Sequence, residues 1–337
     1  MEKTASALML SPKGLLAMDE STPTCNARFT RYGIPNTAEA RRSYRELIVT
    51  TPGLSDSISG AILYDETIRQ QLTDGTPFAM AIERRGIIPG IKVDLGTKDL
   101  ALCPKEKVTA GLDGLRRRLA EYSTMGARFA KWRAVITIGT GLPSLACIEA
   151  NAHALARYAA LCQEAFMVPI VEPEVLMAGD HTLRRCSEVT ETALRVLFGH
   201  LHTQGVKIEA IILKPNMILP GKACPVQESI DEIADATVEC LLRAVPAAVA
   251  GVAFLSGGQS GELASARLNA MNARFRSRLP WALTFSFARA IQLPALEIWH
   301  GEEHNVRKAQ QALSHRARCS SAARRGEYDA AEESASA

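Results

Sequence analysis

Eight short apolar or β-branched stretches recur along the chain, each running out into polar or charged positions. They are GLLAMDE (14–20), GAILYDE (60–66), IIPGIKVD (87–94), FAKWRAVITI (129–138), VPIVEPE (168–174), AIILKPN (210–216), GVAFLSGG (251–258) and ALTFSFAR (282–289). Segments of this length with little alternation read as strands buried on both faces. Between them lie longer segments of helical character, such as SLACIEANAHALARYAALCQE (144–164) and SIDEIADATVECLLRAVP (229–246). Strand alternating with helix, eight times over, predicts a (β/α)8 barrel, with a doubly wound parallel sheet as the competing arrangement. No low-complexity linker divides the chain. One barrel domain is expected over 1–310, followed by a flexible tail over 311–337, where ALSHRARCSSAARRGEYDAAEESASA has few large apolar residues.

In a barrel of this kind the active site lies at the carboxyl ends of the strands. Asp19, Lys92, Glu172, Glu174, Lys214, Ser256 and Arg289 all fall at or near such ends. Lys131 and Arg133 are two residues apart within their segment, so both side chains face the same way. One pocket at the barrel mouth would collect all of these groups.

Lys214 raises the sharpest question, because it ends a run that otherwise reads as a buried strand. A lysine is rarely buried without a partner, since the ammonium loses far more hydration than its stem returns. Either Lys214 pairs with a carboxylate and is structural, or its amine is desolvated among other cations and attacks a carbonyl. Glu172 and Glu174 share a face, and Asp19 adds a third carboxylate. An amine beside carboxylates is the equipment of Schiff-base chemistry, in which the iminium draws electrons and the carboxylates move protons.

FLSGGQS (254–260) is a glycine turn after a strand, where backbone N–H groups and the Ser256 hydroxyl hold a phosphate. Such a turn is more often only a turn. Its weight rises because the next strand ends in FSFAR, which brings Ser286 and Arg289 alongside. Lys92, Arg28 and Arg133 offer further anion ligands, which points to a substrate with two phosphates.

Composition adds mainly exclusions. The 337 residues carry a net charge of only +3, which argues against nucleic acid or an anionic membrane as a partner. No stretch approaches the roughly 18 apolar residues of a membrane span. The opening MEKTASALML is a poor signal peptide, and the eight cysteines form no CxxC pair, so a reducing, cytoplasmic setting is expected. The close histidine pairs His200/His202 and His300/His304 lie away from strand ends, and no metal or other cofactor is expected.

Taken together, LAMDEST, GIKVD, GLDGL, FAKWR, VPIVEPE, ILKPNM, FLSGGQS, LNAMN and WALTFSFARA resemble, in order, the motifs of the class I (Schiff-base) fructose-bisphosphate aldolases. The resemblance runs from about Lys13 to Ala309. TTPGLSDSISGAILYDET is most similar to the plastid and bacterial branch, and the plastid stroma is the alternative location if a transit peptide has been removed.

The resemblance implies a metal-independent barrel, usually a homotetramer, that cleaves fructose 1,6-bisphosphate to dihydroxyacetone phosphate and glyceraldehyde 3-phosphate, in glycolysis, gluconeogenesis or the Calvin cycle. It implies Lys214 as the Schiff-base lysine and Glu172 as main proton carrier. Asp19 would act at the C4 hydroxyl, with Lys131 and Glu174 tuning the charge. Ser256, Gly257, Gly258, Ser286 and Arg289 would hold the ketone-side phosphate, and Lys92, Arg133, Arg28, Ser21 and Thr24 the aldehyde side.

The alternatives are a Schiff-base aldolase preferring sedoheptulose 1,7-bisphosphate or fructose 1-phosphate, and a low-activity scaffold with the same fold. A phosphate-binding isomerase has no use for the paired lysines. Three departures from the family stand out. Leu95 replaces its usual lysine, STPTCNARF differs around Thr24 and Arg28, and the chain ends in EESASA where the family ends in a tyrosine. Tyr328 lies too early to match that tyrosine, so slower protonation of the enamine is expected.

Overall fold

The computed structural model describes residues 1–10, 12–331 and 333. Ten strands are formed: β1 (Gly14–Ala17), β2 (Ile58–Leu63), β3 (Ile88–Lys92), β4 (Thr97–Asp99), β5 (Lys107–Thr109), β6 (Phe129–Ile136), β7 (Val168–Val175), β8 (Ile212–Leu213), β9 (Gly251–Phe254) and β10 (Leu283–Phe287). Eight close into a parallel barrel in the order β1, β2, β3, β6, β7, β8, β9, β10, and β10 returns to β1 through Leu15 opposite Ser286. Each barrel strand overlaps one of the eight apolar stretches, with β2 starting at Ile58, ahead of its stretch, and β7 running on to Val175, and helices surround them. Strand β6 shows how the layers divide. Lys131 and Arg133 face the barrel interior, while Trp132 between them turns outward and stacks on Tyr158 of the helix Leu145–Glu164, with ring centroids 5.5 Å apart.

The lower half of the barrel interior is filled with apolar side chains, including Leu15, Ile62, Phe129, Val168, Ile170 and Ile212. Its floor is closed by the helix Glu2–Leu8, which contributes Ala5 and Leu8, with Met9 following. Glycines make the approach possible. A Cβ on Gly60 would lie 2.5 Å from Leu8 Cδ2, and one on Gly251 only 2.1 Å from Met9 Cε. The plug closes this end, and the carboxyl ends of the strands lie at the other.

Two elements differ from expectation. The strands β4 and β5 pair antiparallel as a hairpin after β3; they are three residues each and β4 is wholly exposed. The chain beyond 310 is not a loose tail from its start. A helix spans Val306–Arg325, so the boundary at 310 falls inside it. Its buried face is built of Ala309, Leu313, Arg316, Ala317, Cys319, Ser320, Ala323 and Arg324. Small side chains let it lie close to its neighbours, and Arg316 and Arg324 bond to backbone: Arg316 Nε to Ala290 O at 3.3 Å, and Arg324 Nη2 to Met9 O. The helix ends at Gly326, which takes the left-handed conformation (φ 75°) of a helix C-cap. Of the expected tail, Glu332 and residues 334–337 lie outside the described residues.

Candidate active site

The barrel mouth gathers the charged residues that the strand ends carry. Lys131 stands opposite Ile170 of β7, yet its ammonium reaches Glu172, two residues further on. Arg133, opposite Glu172, reaches Glu174 in the same way. Both are the diagonal neighbours that a tilted barrel brings together. Lys131 Nζ sits 2.7 Å from Asp19 Oδ2, 3.2 Å from Glu172 Oε2 and 4.0 Å from Asp94 Oδ2. Lys214 Nζ lies 3.2 Å from the other oxygen of Glu172. The two lysines thus share one carboxylate between them.

The backbone places Lys214 with little latitude. Its N–H donates to Val171 O at 2.8 Å, directly before Glu172. Pro215 has no N–H to donate, and its carbonyl accepts from Leu255 N at 3.0 Å. Asn216 accepts from Val175 N at 2.9 Å through Oδ1 and donates to Met217 O at 3.0 Å, tying the segment to the end of β7. Lys214 is 3% exposed, so its amine meets solvent or ligand only through the mouth.

Electrostatics in this cluster are strong because water is scarce. Burial would raise the Asp19 carboxyl, but Lys131, Lys214 and Lys92 outweigh it and lower its pKa to about 2. Burial likewise opposes the charge on Lys131, and Asp19, Glu172 and Asp94 overcome it and raise that pKa far above the ordinary value. Arg133 is raised against its burial by Glu174, with Glu172 and Asp94 adding to the effect. At neutral pH, Asp19 is a carboxylate and Lys131 an ammonium.

Beside this cluster, Ser256, Gly257 and Gly258 form a turn closed by Gln259 N on Ser256 O at 2.9 Å. The helix Gly261–Phe275 follows at once, capped by Ser260 Oγ accepting from Leu263 N at 3.2 Å. Gly257 and Gly258 have φ of +58° and +88°, values that favour glycine. A Cβ on Gly258 would lie 3.0 Å from Arg289 Nη2 and 3.2 Å from Lys222 Nζ, so both cations overhang the turn. The Ser286 hydroxyl is buried with no hydrogen-bond partner among the described residues. Arg289 opens the helix Arg289–Trp299. Burial lowers its pKa, and Arg28, Arg133 and Arg31 push the same way against Glu174. Two helix N-termini, a buried hydroxyl and crowded cations give this turn the chemistry that suits an anion such as a phosphate.

The aldehyde-side residues are less uniform. Lys92 is drawn to Asp94, 2.7 Å from both its Oδ1 and its backbone O. Arg28 is held by Glu20 at 2.6 Å. Ser21 and Thr24 bond to each other at 3.0 Å at the start of the helix Thr22–Arg31, and Thr24 is exposed, without a contact to the other named groups. Leu95, in the place of a family lysine, is exposed. Tyr328 is bound on the outside of the barrel, its N–H to Asn269 Oδ1 at 2.9 Å and its hydroxyl to Glu333 Oε1 at 2.7 Å.

Sequence reasoning missed Asp94, Glu20 and Lys222. Asp94 had a signal, since it follows Lys92 by two in GIKVD; Lys222 had none, because only folding brings PGKAC to the glycine turn. Of the histidine pairs, His200 Nε2 lies 2.6 Å from Glu149 Oε2. Elsewhere His315, Cys319 and Glu333 bring donor atoms within 4.8 Å of one another, but Glu333 there is ion-paired to Arg316. Seven cysteines are buried and Cys103 is half-buried.

A barrel whose mouth joins a lysine and carboxylates to a phosphate cradle defines a class of phosphosugar-handling barrel proteins. The comparisons narrow it. Residues 1–337 match the family model described as fructose-bisphosphate aldolase class-I, and the chain belongs to that family. It is 57% identical over 319 residues to a probable class 1 fructose-bisphosphate aldolase of Xanthomonas campestris, covering 94% of this chain and 95% of the relative. A cytosolic fructose-bisphosphate aldolase of Arabidopsis thaliana is 48% identical, with 94% and 88% covered. The solved fructose-bisphosphate aldolase of Plasmodium falciparum, in complex with TRAP and an inhibitor, superposes with a TM-score of 0.95 at 46% identity, covering 97% of this chain and 94% of that one.

Proposed function

We propose that this protein is a class I fructose-bisphosphate aldolase, cleaving fructose 1,6-bisphosphate reversibly into dihydroxyacetone phosphate and glyceraldehyde 3-phosphate through an imine on Lys214. The observation that carries the reading is the buried chain Lys214, Glu172, Lys131, Asp19, linked by contacts of 3.2, 3.2 and 2.7 Å next to a phosphate cradle.

In the neutral-amine form, Lys214 adds to the C2 carbonyl, and loss of water leaves the iminium. Glu172, between the two lysines, passes the protons that this dehydration requires. The Asp19 carboxylate, kept ionised by Lys131, takes the proton from the C4 hydroxyl as the C3–C4 bond breaks. The electron pair moves into the iminium, giving an enamine and releasing the aldehyde. Protonation at C3 and hydrolysis of the imine return the lysine. Ser256, Gly257, Gly258, Ser286, Arg289 and Lys222 hold the ketone-side phosphate, while Lys92, Arg133 and Arg28 hold the other. The protein works in a reducing compartment, the cytosol or a plastid stroma, as a homotetramer.

The test is borohydride trapping: incubation with dihydroxyacetone phosphate, reduction, and peptide mapping. The expected result is one adduct on Lys214, unaffected by a chelator. Folded protein without an adduct there would remove the catalytic reading and leave the scaffold.

A further inference from the structure

At the end of the barrel opposite Lys214 lies a second, differently built cavity of about 270 Å³. Asn272, Arg276, Trp281 and Arg324 line it, with Leu279 and Leu283 among the apolar walls, and no carboxylate is among its lining residues. Arg324 is 5% exposed. Its Nη2 donates to Met9 O, while Nη1 is buried and has no hydrogen-bond partner among the described residues. Neighbouring arginines are paired: Arg274 with Asp231 and Asp235, Arg325 with Glu327. Among the described residues, Arg276 and Arg324 form no ion pair. Burial, and then the charge of Arg276, push the Arg324 pKa down to about 10. A guanidinium out of water with no counter-charge is costly, and a second cation beside it adds to that cost.

We propose that this cavity is a binding site for a small, multiply charged oxyanion of the phosphate class, held between Arg324 and Arg276. Guanidinium forks suit tetrahedral oxyanions, and two of them match a dianion better than a single carboxylate. The volume is just below the roughly 300 Å³ where organic ligand pockets begin, which selects an ion or a small phosphomonoester over a nucleotide. The anion would also tie the end of the carboxyl-terminal helix to the loop entering β10, and through Met9 to the plug of the barrel floor. The site is independent of the catalytic reading.

The experiment is calorimetric titration of inorganic phosphate into the full chain at fixed ionic strength. Because the barrel mouth also takes phosphate, Arg289→Gln, Arg324→Gln and Arg276→Gln are compared with the parent. One binding event should survive Arg289→Gln, weaken tenfold or more in Arg324→Gln and weaken several-fold in Arg276→Gln. The cleavage constants of Arg276→Gln, measured without phosphate, should match the parent. Arg276 is exposed, so its replacement remains decisive even if Arg324→Gln fails to fold. Phosphate affinity equal to the parent's in Arg276→Gln, or a single event lost with Arg289→Gln, would overturn the proposal and leave Arg324 as a buried structural arginine bonded to Met9 O.

Discussion

Replacing Lys131 by methionine keeps the bulk of the side chain and removes one positive charge from among three carboxylates. At an effective dielectric constant near 20, each ammonium–carboxylate contact of about 3 Å is worth about 5 kcal/mol before desolvation is subtracted. Leaving such a group without its partner typically costs about 3–5 kcal/mol net. That loss is a large part of the total stability of a domain, about 5–15 kcal/mol. The cost also depends on pH in a way that a packing defect does not. Asp19 is lowered from 3.8 to about 2, a difference worth roughly 2 kcal/mol. A depressed carboxyl stabilises the fold above its unfolded value and loses that contribution as pH falls through its folded value. The parent should therefore lose roughly 2 kcal/mol as the pH falls from about 5 to about 1, most of it between about pH 4 and about pH 2. In Lys131→Met, burial is left to dominate, the carboxyls bind protons more readily, and acid relieves them. Urea denaturation followed by circular dichroism at steps from pH 7 downward measures both. The gap between the two proteins should be about 3–5 kcal/mol at pH 7 and should narrow as the pH drops below 4. A gap that stays constant with pH, or near-equal stability at pH 7, would refute the electrostatic account.

Two other outcomes follow from the geometry. Lys222→Met removes one of the two cations over Gly258 and, because Lys222 is exposed, should cost about 1 kcal/mol. In steady-state kinetics that is roughly a fivefold rise in KM for fructose 1,6-bisphosphate with little change in kcat, and an unchanged KM would separate Lys222 from the phosphate. Gly251→Ala would drive a Cβ into Met9, 2.1 Å from its Cε, and overpacking of this kind costs about 1–3 kcal/mol. Thermal unfolding should show it, with cleavage kinetics preserved at low temperature.

The strands were legible because a parallel barrel buries both faces of each one, so each appears as an apolar run ended by charge. The same pattern exposed Asp19, Lys92, Glu172 and Lys214, which stand where those runs stop. The hairpin at 97–109 was not legible, since its strands are too short and too exposed to carry a period. The helix Val306–Arg325 escaped for a different reason. It docks through alanine, serine and arginine, and buried arginines look like solvent-facing ones until their carbonyl partners are known. Lys222 belongs to a third kind: its neighbour Gly258 is set by the barrel's closure and by nothing nearby in the chain.

The seam between β1 and β10 has a consequence for how the chain is made. Leu15 leaves the ribosome well ahead of its partner Ser286, which emerges 271 residues later. At about 5–20 residues per second, that interval is on the order of 15 to 50 seconds. Once β2 has paired along one edge of the first strand, the other edge stays open until β10 arrives, a template for pairing with a stranger. The brevity of β1, four residues from Gly14 to Ala17, keeps that template small. A newborn chain thus carries an open seam until its last strand arrives.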